Sequence, residues 1–113
     1  MGLVINHAIV VSASYGDPEH WTEVAHTKAT ELFTDHAELV TPVVVAPVND
    51  LRSFAILPDG SKEGWDESDE GDRMRGQFRR WLYSLQHEDG SSPIQWVEVA
   101  FGDTFPHISE GSR

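Results

Sequence analysis

The chain has 113 residues, with 8 Lys plus Arg against 19 Asp plus Glu for a formal charge of −11, no Cys and six His. That is one domain's length of chain, and the lack of Cys excludes a disulfide scaffold, a Cys-based zinc site and a thiol nucleophile. No apolar run approaches the roughly 18 residues of a membrane span, and the N-terminus lacks the basic start and small-residue cleavage site of a secretory signal, so a cytoplasmic protein is expected.

Residues Leu3–Ala13 (LVINHAIVVSA) are rich in Val and Ile and hold no Pro or Gly, which predicts a first strand. Asp17-Pro18 then sets an N-cap acceptor before a proline suited to a first helical position, predicting a helix from about Pro18 to Thr34. Trp21, Val24, Ala25, Ala29, Leu32 and Phe33 form its apolar stripe, with Lys28 snorkelling over the core. Leu39–Val48 and Leu51–Leu57 read as a hairpin around Asn49-Asp50, residues that tolerate left-handed turn geometry. Pro42 and Pro47 cannot donate to a ladder and put the first of these strands at a sheet edge.

After Pro58-Asp59-Gly60 comes an acidic stretch in which Ser68 is the expected N-cap of a second helix ending near Gln86. Met74, Phe78, Trp81, Leu82 and Leu85 supply its buried stripe, and Arg73, Arg75, Arg79 and Arg80 follow the acidic start in the order favoured by the helix dipole. Ile94–Phe101 is the last predicted strand, with Val97, Val99 and Phe101 on one face and Trp96, Glu98 and Ala100 on the other. The domain is thus expected over residues 1–103, with a flexible tail over 104–113. The order β-α-β-β-α-β predicts an α+β, ferredoxin-like fold: a four-stranded antiparallel sheet of order 4-1-3-2 with two helices on one face.

Helices on one side leave the other side of the sheet bare, and both faces read as apolar: neither Val4, Asn6, Ala8, Val10 nor Ile5, His7, Ile9, Val11 is polar throughout. A bare apolar face binds a second copy, binds a ligand, or is covered by a terminal segment of the chain. His7 is a candidate general base or pH switch, against the plainer reading of a structural histidine. The remaining histidines have neither H-x-x-x-H nor H-E-x-x-H spacing, so no metal site or cofactor is assigned. Pro58–Asp69 lacks the spacing of a phosphate-binding loop and of a calcium loop. Its Trp65 either anchors a partner or folds back over the core. The acidic balance argues against nucleic-acid binding, while an acidic surface can mimic nucleic acid toward a basic protein.

Asn6–Val11 (NHAIVV), Pro58–Trp65 (PDGSKEGW) with Ser68-Asp69, and Trp96–Val99 together resemble a group of small uncharacterised proteins encoded by tailed bacteriophages. The resemblance implies a context, that of an accessory factor which binds a host protein or sequesters a host signalling molecule, and no catalytic residues. The leading expectation is a non-enzymatic binding protein that forms a homodimer or higher oligomer through its sheet. The alternatives are a small-molecule binder with His7, Arg52, Trp96 and Glu98 lining a cavity, and a small enzyme using His7 or Tyr15. No nucleic acid or membrane partner is expected.

Overall fold

The computed structural model describes residues 3–13, 20–85 and 89–112. Along the chain run β1 (Ile5–Ala13), α1 (Trp21–Phe33), a 3-10 segment (Thr34–Leu39), β2 (Val44–Val45), β3 (Arg52–Ile56), α2 (Asp66–Ser84), β4 (Gln95–Gly102) and β5 (His107–Gly111). All strand pairings are antiparallel, in the order β2-β3-β1-β4-β5. The protein is therefore α+β, with two helices and a five-stranded sheet in place of the four strands expected.

The fifth strand corrects the reading of the tail. Gly102 has φ of 112°, and a Cβ there would stand 2.8 Å from the Val4 carbonyl oxygen, so the chain reverses at a point that requires glycine. The returning segment pairs Ala100 with His107 and Val99 with Ile108, then Glu98 with Glu110 across a bulge. Beyond β5, Ser112 continues the contact, its N–H donating to the Trp96 carbonyl at 2.8 Å.

The hairpin is shorter than the sequence suggests because its prolines interrupt the ladder. Only Val44 and Val45 pair with β3, and Val40 makes an isolated bridge to Ile56. Asn49 (φ 58°) and Asp50 (φ 51°) adopt the left-handed geometry expected of them, within a four-residue loop closed by the Ala46 N–H donating to the Leu51 carbonyl. As Pro42 and Pro47 require, β2 is an edge strand.

Alternation sorts the sheet into two rows. Ile9, Val11 and Ala13 of β1, Phe54 and Ile56 of β3, and Trp96, Glu98 and Ala100 of β4 are buried. Phe54 meets His26 of α1 edge-on at 5.2 Å and Phe78 of α2 at 6.5 Å, so both helices cover this same face. From α1 the core takes Ala25, Ala29 and Phe33, with Thr22 buried beside them and Trp21 and Leu32 packed at the margin. Val24 departs from its expected place and is exposed. The Asp17-Pro18 cap and Gln86 lie outside the described residues.

α2 begins at Asp66, three residues earlier than an N-cap at Ser68 would place it. Trp65 occupies the cap position without a side-chain bond, and Ser68 is buried in the first turn. Met74, Phe78 and Leu82 face the core, while Trp81 and Leu85 flank it. Phe78 stacks on Trp81 at 5.9 Å. Among the described residues no helix is long and apolar enough to cross a membrane.

Candidate functional site

The face of the sheet turned away from the helices presents the other row. It carries Asn6, Ala8, Val10 and Ser12 from β1, Ser53 and Ala55 from β3, Gln95, Val97, Val99 and Phe101 from β4, and Val44 and Ile108 from the two edges. Leu57, one residue past β3, extends it. Charged residues make up 24% of the chain. Yet none stands in this row across the five strands, among the described residues.

The row is also exposed. Val10 at its centre is 41% exposed, although its cross-strand neighbours are Ala55 and Val97, and Ile108 beyond Val99 is 69% exposed. With Val44, Leu57 and Phe101, the bare apolar area is on the order of 400–500 Å², within the range of the largest patch on a monomeric protein, a patch that is often functional. Phe105, in the turn between β4 and β5, is the most exposed large apolar residue described. The polar side chains of the row stand toward its ends, Ser12, Ser53 and Gln95 at one and Asn6 at the other, and leave Val10, Ala55, Val97 and Val99 together between them.

The five residues singled out from the sequence do not form one site. His7, Arg52, Trp96 and Glu98 all sit on the helix-covered row, not on the bare one. His7 is opposite Ala100 and Arg52 is opposite Ala13, so six positions of β1, about 20 Å, separate them. His7 and Arg52 therefore stand too far apart to line one small cavity within a single chain.

Each of the five has its own surroundings. His7 is half-buried and has no hydrogen-bond partner among the described residues. Glu98, which register places diagonally from it, is occupied elsewhere. That carboxylate is 3% exposed and accepts from Arg79 Nη1 at 3.0 and 2.9 Å, with Ser109 Oγ at 3.2 Å and Arg75 Nε at 3.8 Å. Arg79 Nε also meets Glu110 at 2.5 Å, and Arg75 pairs with Asp72, so the cluster ties α2 to β4 and β5. Trp65 is exposed, with the Lys62 ammonium 5.6 Å from its ring centre, and so does not close over the core. Trp96 is buried, the edge of its ring contact with Tyr83 spanning 5.0 Å between centroids. Tyr15 lies outside the described residues.

Arg52 belongs to a structural pair with α1. Its Nη1 donates to Glu23 Oε1 at 2.6 Å, and its Nη2 lies 3.5 Å from Asp50. Burial works to raise the Glu23 carboxyl, but the Arg52 hydrogen bond and charge outweigh it and hold that group below the usual Glu value. At Asp59 burial is likewise outweighed, here by hydrogen bonds from the Ser61 hydroxyl and N–H and by the Arg75 charge. Both carboxyls titrate lower when folded than when unfolded. Their stabilisation is therefore complete above the ordinary values of 4.5 and 3.8 and is lost as pH falls through the depressed folded values. Urea unfolding should show stability falling with acidification below 4.5, and Glu23→Gln should flatten that dependence. An unchanged slope in the variant would remove Glu23 from the explanation.

Ile108 and Phe105 were missed from sequence because they follow the last long apolar run, in a segment read as tail. The alternation His107-Ile108-Ser109-Glu110 was the available signal, and it is only four residues long. Arg75 does pair with Asp72 of the acidic helix start, but the buried Glu98 of β4, which also draws in Arg75 and Arg79, is a partner that the order of charges along the helix does not reveal. Among the described residues no group of three His, Cys, Asp or Glu side chains is placed to hold a metal ion. Comparison of the chain with protein-family models, curated proteins and solved structures finds no match.

Proposed function

We propose that this is a non-enzymatic binding protein that works as a homodimer, assembled by packing the helix-free faces of two sheets against each other. The observation that carries the reading is the charge-free apolar row. A two-fold contact sets each patch against its own copy, so a charge near the axis would meet its like and one elsewhere in the apolar contact would be buried without a cation from this row to pair it. A chain of −11 that keeps its charges off one face has removed that penalty where a second copy would sit. A partner selected by charge would instead need complementary charge on the same face.

The size is also appropriate. A standard interface removes about 800 Å² per partner, of which somewhat more than half is apolar, and the bare row supplies an apolar centre of that order. Aligned sheets pack about 10 Å apart, close enough for Val10, Val97, Val99 and Ile108 to interdigitate with their counterparts. We read the domain as ferredoxin-like in its first four strands, with β5 widening the sheet and contributing Ile108 to the contact. The resemblance of its motifs to small phage proteins supports a role as an accessory factor in the host cytoplasm, with a host protein as the eventual target of the dimer.

Salt separates this reading from acidic mimicry of nucleic acid. Screening shortens from about 30 Å at 0.01 M ionic strength to about 8 Å at 0.15 M, which relieves repulsion between two copies of the same sign. Self-association measured by sedimentation velocity should tighten over that range. Association that weakens steeply with salt would contradict an apolar, charge-free contact and favour a charge-driven one.

A further inference from the structure

We propose that a cavity between the end of α2, β4 and the chain beyond β5 binds a neutral molecule built on a single aromatic ring that carries a hydrogen-bond acceptor. The cavity measures about 170 Å³. Engineered apolar cavities of about 150 Å³ hold a benzene molecule, so there is room for one ring. It lies on the helix side of the sheet, away from the bare apolar row, and the inference does not depend on dimer formation.

Its walls define the ligand. Leu82 and Leu85 give aliphatic surface, and the rings of Tyr83 and Trp96 meet at 75° with centroids 5.0 Å apart, offering a flat guest an edge and a face. Among the described residues no Asp, Glu, Lys, Arg or His lines it, so its described walls offer no counter-charge to a cation or an anion. The net charge of −11 disfavours an anion further.

Two donors ask for an acceptor. Ser112 Oγ accepts from the Trp96 backbone N–H at 3.1 Å, and its own proton has no acceptor among the described residues. Ser92, by contrast, is committed: it donates to the Ile94 carbonyl at 2.6 Å and accepts from the Ile94 N–H at 3.2 Å. The Trp96 side chain is the second donor. That residue lines the cavity and is 5% exposed as a whole, but its indole nitrogen is not fully buried, so the N–H is open to water or to a guest. An amide or ketone oxygen on a ring satisfies such a pair, and an unsubstituted hydrocarbon leaves it unanswered.

The test uses the full chain labelled with ¹⁵N and titrated with benzamide, with benzoate as the charged analogue. The Trp96 indole signal is assigned by its loss in Trp96→Phe among the four tryptophans. Benzamide should move that signal saturably with a Kd on the order of 1 mM or tighter, and benzoate should bind at least about tenfold more weakly. Ser112→Ala should weaken benzamide several-fold. Ser112→Leu, which fills the cavity while keeping the backbone contact to Trp96, should abolish the shift with the rest of the spectrum unchanged. The proposal is overturned if the Trp96 signal does not saturate, if benzoate binds as well as benzamide, or if Ser112→Leu binds like the parent. Should Ser112→Leu disturb the fold, unchanged affinity in Ser112→Ala overturns the role of its hydroxyl by itself.

Discussion

Val10→Asp is expected to separate the dimer into folded monomers, weakening self-association by at least about 100-fold. Val10 stands at the centre of the bare row, between Ala55 and Val97. In the dimer the new carboxylate would be taken out of water and brought toward its own copy across the two-fold axis, with no cation in the row to answer it. In the monomer the same side chain is 41% exposed and can stay hydrated, so the fold should lose only about 1 kcal/mol, the span of strand propensities. Ile108→Asp provides a control with still less effect on folding, because that residue is on an edge strand and more exposed. Sedimentation velocity and circular dichroism on both variants check the result. If the two variants stay as associated as the parent, the contact does not use this face.

The second large effect is expected at Glu98. Glu98→Ala should destabilise the fold by about 3–5 kcal/mol, the usual consequence of stranding a buried charge by removing its partner. Arg75 is buried and Arg79 partly so, and in the variant both would keep their positive charge beside a cavity left by the carboxylate. Glu110 and Asp72 remain as partners from the rim, which sets the effect toward the lower end of that range. Thermal unfolding should move down by roughly 10 °C or more, given the small size of the domain. Because Arg79 joins Glu98 to Glu110, hydrogen exchange of the β5 amides should accelerate more than that of β1. Adding Arg79→Gln should recover part of the loss. No recovery would mean that the clash or cavity, rather than the unpaired charge, dominates.

Much of the architecture was legible because it rests on local signals of good length. β1 is a long run rich in Val and Ile, and alternation along β4 separates Val97, Val99 and Phe101 from the buried Trp96, Glu98 and Ala100. Proline placement identified the edge strand before any pairing was known. The α2 stripe was legible at Met74, Phe78 and Leu82 for the same periodic reason. What alternation does not carry is which of two apolar rows the helices cover. That choice depends on side chains meeting across elements, such as Phe54 with both His26 and Phe78. Placing His7 and Arg52 in one cavity failed on a related point, since both share a face but register sets them at opposite ends. β5 was hidden because five residues with one large apolar side chain give almost no periodic signal, and its pairing is secured by distant groups: Val97, Val99 and Glu98.

Sedimentation equilibrium of the unmodified full chain bears most directly on the proposal that the sheet face is a self-contact. At concentrations of about 10–100 μM, a range that detects contacts of micromolar strength, the mass should be twice 12.6 kDa or a higher whole multiple, falling toward 12.6 kDa on dilution. A mass of 12.6 kDa across the whole range would contradict it and leave the charge-free row to another kind of partner.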